Sequence, residues 1–132
     1  MIEIETRKSV EVVDLTPLVE AELKKSGVEA GICLVYTPHT TTGVIINEAD
    51  PRLIQDILKL ISDMAPEGAG YQHDRSDGNA HAHLRAVLLG NSASIPVEKN
   101  RLALGTWQRV LFFELDGPRP RRVFVKILAD SN

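Results

Sequence analysis

Apolar, β-prone runs gather towards both ends of this 132-residue chain, and its clearest helix lies between them. Ile2, Ile4 and Thr6 alternate with Glu3, Glu5 and Arg7, and Val10, Val12 and Val13 follow, which predicts one or two half-buried strands over 2–13. Residues 28–36 and 42–47 form two more apolar runs, Ser92–Val97 another, and 109–116 with 121–128 read as a hairpin joined by Asp116-Gly117-Pro118-Arg119-Pro120. Asp14 is a helix N-cap with Pro17 in the first turn, and Leu15, Leu18, Val19 and Leu23 share a face that ends at Gly27. Pro51 opens the clearest helix, with a broad apolar stripe of Leu53, Ile54, Ile57, Leu58, Ile61 and Met64 up to Ala65-Pro66. A shorter helix over 79–89 ends at Gly90, with Leu84, Val87 and Leu88 expected on its buried face. This pattern predicts one α+β domain over 1–132, a mixed or antiparallel sheet covered by a few helices, and not a doubly wound fold. The amount of strand in so short a chain points to a homo-oligomer.

At 43% apolar residues the chain can bury a core, and a net charge of −3 gives no general attraction to nucleic acid or to an anionic membrane. No apolar run reaches membrane length, and residues 1–5 carry no apolar signal core. The single cysteine, Cys33, cannot form an internal disulfide, which fits a cytoplasmic location; among apolar neighbours it reads as a small hydrophobe, not a nucleophile. Gly-rich phosphate loops, Cys-x-x-Cys pairs and Gly-x-Ser-x-Gly elbows are absent.

The scarce chemistry sits in three polar segments: Thr37–Gly43, Asp77–His83 and Gly105–Gln108. Together they hold three of the four histidines and the only tryptophan, and a small chain arranged this way is building one site. His39 follows a β-prone run and precedes three threonines, which suits a ligand or proton carrier beside hydroxyls; the plain alternative is a turn capped by those threonines. On a helix His81 and His83 diverge, whereas Asn79 and His83, at i and i+4, share a face, so His83 is the stronger candidate. His73 lies in the aperiodic stretch 66–78, a loop long enough to be functional or mobile. His39, His73 and His83 are three neutral nitrogen donors, the set of a catalytic zinc-type site with an open position. Asp50 reads as the cap of the Pro51 helix, while Glu48 is available as a general base or as an orienter of a histidine. Gly105 beside Trp107 suggests an unusual turn, and Trp107 is as well read as core. Ser92, Ser94 and Arg101 are further anion contacts, and Arg119, Arg121 and Arg122 read as solvated charge on a hairpin tip.

These segments resemble the YjbQ-like family, whose members are described as secondary thiamine-phosphate synthases or uncharacterised conserved proteins. The resemblance rests on Thr37-Pro38-His39-Thr40-Thr41 with Asn47-Glu48, on Tyr71-Gln72-His73, on Asn79 with His83-Leu84, and on Leu102–Gln108. It implies a compact α+β subunit in a homotrimer, with a site at His39, Glu48, His73, Asn79, His83, Thr106, Trp107 and Gln108. Many relatives carry a different residue, often Asp, where this chain has His81, which detaches His81 from the site. The implied activity joins a pyrimidine diphosphate to a thiazole phosphate and releases pyrophosphate.

The expectation is therefore an enzyme acting on a small phosphorylated metabolite. His39, Glu48 and His83 would do the chemistry, and Thr40, Thr41, Asn79, Thr106, Trp107 and Gln108 would bind substrate. His39, His73 and His83 would hold a divalent metal, zinc or similar. The alternative is a metal- or metabolite-binding module without turnover. A nucleic-acid partner using the three arginines is disfavoured by the acidic balance and the 5% aromatic content.

Overall fold

The computed structural model describes residues 1–131 as eight strands and three helices. In chain order they are β1 (Ile2–Glu5), β2 (Glu11–Asp14), α1 (Thr16–Ser26), β3 (Gly31–Tyr36), β4 (Thr42–Asn47), α2 (Pro51–Met64), α3 (Ala80–Leu89), β5 (Ser92–Glu98), β6 (Arg101–Leu102), β7 (Arg109–Glu114) and β8 (Pro120–Ala129). All pairing is antiparallel. A large sheet has the order β1-β8-β3-β5-β6 and a small one β2-β7-β4. The fold is α+β, as the sequence predicts.

β7 sets the layering. Its run Val110-Leu111-Phe112-Phe113 is fully buried on both sides. Val110 and Phe112 join Val35, Ile95, Val97, Val123 and the inner face of α1 in the core between the sheets. Leu111 and Phe113 face the other way, onto Ile61 of α2 and Ala82 and Ala86 of α3. A strand buried on both faces shows no hydrophobic alternation, which is why this one reads as a continuous apolar run.

Four expectations are corrected. The 109–128 hairpin does not form, because β7 lies in the small sheet and β8 in the large one, and the linker between them crosses from layer to layer. On α3 the buried positions are Ala80, Ala82 and Ala86, whereas Leu84 and Leu88 are exposed and Val87 is 77% exposed. The missing side chain of Gly43 lets the end of α3 lie against β4: a Cβ there would lie 2.7 Å from the Cβ of Leu89. Leu18 and Met64 are also exposed. The α1 N-cap is Leu15, one residue later than expected, although Asp14 still accepts from the Thr16 N–H at 3.0 Å.

Gly31 opens β3 beside Ala129 of β8, where an added Cβ would lie 1.9 Å from the Leu128 carbonyl oxygen. Gly31→Ala is therefore expected to destabilise by about 3 kcal/mol or more, since backbone must move to admit the methyl. Urea unfolding measures it, and an unchanged midpoint would refute it.

Candidate functional site

The Thr37–Thr41 link carries the chain from β3 in the large sheet to β4 in the small one. Buried hydroxyls fix its ends: Thr37 Oγ1 and Thr42 Oγ1 share a hydrogen bond of 2.7 Å, and the Thr37 N–H donates to the Asn91 carbonyl at 2.9 Å. The threonines thus divide between two roles. Thr37 and Thr42 hold the turn, and Thr40 is left exposed.

Thr41 is tied to an ion pair that the sequence did not reveal. Arg121, only 4% exposed, donates through Nη2 to Thr41 Oγ1 at 2.9 Å and through Nε to Glu114 Oε1 at 2.7 Å. Glu114 is fully buried and also accepts from Thr6 Oγ1 at 2.7 Å and from the Asp116 N–H at 3.1 Å. Burial alone would raise its carboxyl pKa; the hydrogen bonds from Arg121, Thr6 and Asp116, with the charge of Arg121, outweigh burial and hold it below the ordinary value. Arg121 is therefore a structural cation, not the solvated tip residue expected. Parity was the available signal: Glu114 falls in step with Val110 and Phe112, and Arg121 with Val123, all facing the space between the sheets.

His39 is placed by the same strand. Its Nε2 accepts the Arg122 N–H at 2.9 Å, so this nitrogen carries no proton and Nδ1 is the donor. Burial first, and then the charges of Arg121 and Arg122, hold its pKa below the ordinary 6.5. Between that lowered value and 6.5 the unfolded chain binds a proton that the folded chain does not. Stability should accordingly fall as pH drops through this window and level off below it. Chemical unfolding of the wild type and His39→Gln between about pH 5 and 8 checks this, with the difference between the two converging towards the acid end.

His83 reaches the same place from the first turns of α3. Asp74 Oδ1 accepts the Ala80 N–H at 3.0 Å and so pins the preceding loop to the helix start. That loop contains one 3-10 turn, Gln72–Arg75, which sets the His73 ring edge-on to His83 with centroids 4.8 Å apart. Two adjoining clefts of about 480 and 400 Å³ share His39, Thr40 and His83. The first continues over Ala86 and Val87 and is mostly apolar. The second is polar, lined by Thr41, Asp77, Asn79, Asp116, Arg119 and Arg121. Asn79 donates to Asp116 Oδ2 at 3.0 Å, while its own Oδ1 is buried without a partner among the described residues. Arg119 pairs with Asp116 at 3.2 Å. His81 turns instead towards Glu67, at 4.0 Å.

The three histidines expected to hold a metal are not gathered into one ion-binding group within the described residues of a single chain. His39 Nε2 is occupied by a backbone N–H. Among the described residues no three His, Cys, Asp or Glu side chains are grouped to hold an ion. Cys33 is buried, and burial pushes its thiol up to about 11, consistent with an unreactive core residue.

Four expected site residues lie elsewhere. Glu48 follows the far end of β4, and Thr106, Trp107 and Gln108 precede β7, whose Arg109 pairs with Asn47. Thr42, at the cleft end, pairs with Glu114. The two groups are thus separated by the length of β4, about 17 Å at the usual strand rise.

A profile of the family described as UPF0047 protein YjbQ-like matches residues 1–130. The chain belongs to this family. It is 54% identical over 125 residues to a UPF0047 protein of Archaeoglobus fulgidus, covering 95% of this chain and 97% of that one. To the UPF0047 protein YugU of Bacillus subtilis it is 40% identical, with 96% of each chain covered. Among solved structures it superposes on a hypothetical protein of Aeropyrum pernix K1 with a TM-score of 0.93 at 44% identity, covering 98% and 96% of the two chains. A protein of unknown function from Sulfolobus solfataricus P2 gives 0.94 at 40% identity, with 98% and 94% covered. No helix among the described residues of this UPF0047 member is long and apolar enough to cross a membrane.

Proposed function

We propose that this UPF0047 protein is an enzyme that binds a small phosphorylated metabolite in the His39–His83 cleft and transfers a group with loss of phosphate or diphosphate. The observation that carries the reading is the pairing of a polar cleft with an apolar one across the same two histidines. An anionic group would sit against Nδ1–H of His39, the Thr40 hydroxyl and the edge of Arg121, and a flat organic moiety against Ala86 and Val87. A leaving diphosphate departs with its bonding electron pair, and donors fixed in place beforehand stabilise that charge. A neutral His39 suits this role as a hydrogen-bond donor, and His83 is placed to exchange a proton with the substrate. The family resemblance makes thiamine-phosphate synthesis the reaction to try first, in a homotrimer. A cytoplasmic location fits the single buried thiol.

The test is incubation with the pyrimidine diphosphate and thiazole phosphate, following thiamine phosphate and pyrophosphate together. Product should scale with protein and disappear in His39→Ala. Stoichiometric binding of both compounds without product would reduce the protein to a binding module. Elemental analysis of the same samples shows whether a transition metal accompanies either outcome.

A further inference from the structure

We propose that residues 71–77 are an anion-operated lid on the His39–His83 cleft, and that Asp77 is the group by which the closed lid opposes an anion. The inference rests on reading the cleft as a phosphate or diphosphate site, and it starts from the charges already committed there. Arg121 is bonded to Glu114, and Arg119 to Asp116. Both arginines of the polar cleft are thus neutralised. Asp77 lines the same cleft, and its ion-pair partner among the described residues is His73 of the same loop, with Nε2 at 3.8 Å. A phosphate entering beside this carboxylate is repelled by it, and the two compete for the same donors.

Asp77 does not belong to the rigid frame. Across residues 66–78 only Tyr71 and Asp74 are even half-buried, so few contacts hold the stretch in place. Gly70 and Gly78 bracket the lid in left-handed conformations, at φ +78° and +69°, and a Cβ on either would meet nothing within 4 Å. Between these hinges the segment is bound to itself. The Asp74 N–H donates to the Tyr71 carbonyl at 3.2 Å and the Ser76 N–H to the His73 carbonyl at 3.1 Å, so the lid swings as one piece. Its ties to α3 are the bond from the Ala80 N–H to Asp74 Oδ1 and the edge contact of His73 with His83. Just past the second hinge, Asn79 Oδ1 is buried without a partner among the described residues, and a lifted lid gives that acceptor water. Closure therefore carries a cost beside its contacts, which brings the open and closed forms close in energy.

With the lid down, Asp77 stands in the polar cleft and His73 lies against His83. With the lid raised, the carboxylate withdraws and the ring of His83 is free to meet substrate. An anion thus binds the open form better, and by linkage its binding raises the population of that form. A neutral molecule meets no such repulsion and does not move the lid. The device therefore couples opening of the site to the charge of a phosphorylated ligand.

Trypsin reads the open population under native conditions, because Arg75 is the only lysine or arginine between residues 66 and 78. In the wild type, saturating inorganic pyrophosphate should speed cleavage at Arg75 several-fold. Asp77→Asn removes the repulsion and keeps the shape of the side chain. It should bind pyrophosphate on the order of tenfold more tightly by calorimetry, and the anion should no longer change its cleavage. Gly78→Ala disfavours the left-handed hinge of the closed lid by about tenfold and should speed cleavage with no anion present. Pyrophosphate that binds the wild type yet slows its cleavage or leaves it unchanged would overturn the gate while the cleft remains an anion site. An Asp77→Asn protein with wild-type affinity would do the same, and a Gly78→Ala protein cut no faster than the wild type would remove the hinge. Pyrophosphate bound by neither the wild type nor Asp77→Asn would bring down the reading of the cleft itself, and the gate with it.

Discussion

Arg121→Ala is expected to lower folding stability by about 3–5 kcal/mol, the range found when one partner of a buried ion pair is removed. The substitution leaves Glu114 charged, fully buried and short of its bidentate donor, with only Thr6 and the Asp116 N–H still bonded to it. It also frees Thr41 and loosens the turn that carries His39. In a chain of this size the melting temperature should fall by roughly 10–20 °C. Pairing the change with Glu114→Leu should recover much of the loss, because the orphaned charge and not the missing attraction is the main cost. The sign of the pH dependence follows from the depressed Glu114 pKa. The stabilisation is complete above the ordinary value of 4.5 and is lost as pH falls through the lowered folded-state value. Thermal melts of the single and double variants decide the matter; a single variant as stable as the wild type would show that Arg121 is not the cross-layer tie described here.

His83→Ala should have the opposite profile. Its imidazole is half-buried and its ring contact among the described residues is with His73, so truncation should change stability by less than about 1 kcal/mol. Turnover should fall by at least about a hundredfold, the smaller end of what a positioned proton-transfer group contributes. His39→Ala makes a useful contrast. It removes the acceptor of the Arg122 N–H, so about 1 kcal/mol of stability should go together with the activity. If His83→Ala unfolds the protein, the residue is structural; if it leaves turnover intact, the catalytic role assigned to it is wrong.

The elements were legible in the sequence where local signals dominate. Gly27 stops α1 in a left-handed conformation, Asp50 caps α2 and accepts the Arg52 N–H, and β4 and α3 fall close to where their patterns place them. Long-range choices were not legible. Asp116–Pro120 has the composition of a hairpin turn, yet β7 needs cover on both faces and so leaves β8 to the other sheet. The buried face of α3 is made of small residues, Ala82 and Ala86 packed with Leu111 and Phe113 of β7 and Ile61 of α2, and a stripe of alanines carries no apolar signal as strong as that of Leu84, Val87 and Leu88. The same limit governed the site. Helical spacing put Asn79 and His83 on one face, and both line the polar cleft. That Glu48 and Trp107 lie a strand's length away follows from the β4–β7 register, which no local motif records. Arg121 reads as solvated charge on a tip, and only its parity with Val123, like that of Glu114 with Phe112, marks the pair as buried.

The most direct test of the central claim is calorimetric titration of the purified protein with inorganic pyrophosphate, beside His83→Ala. The account predicts saturable binding by the wild type and a loss of at least tenfold in affinity in the variant, with unchanged thermal stability. Equal binding by the two proteins would contradict it, because the anion would then be held somewhere other than the His39–His83 cleft.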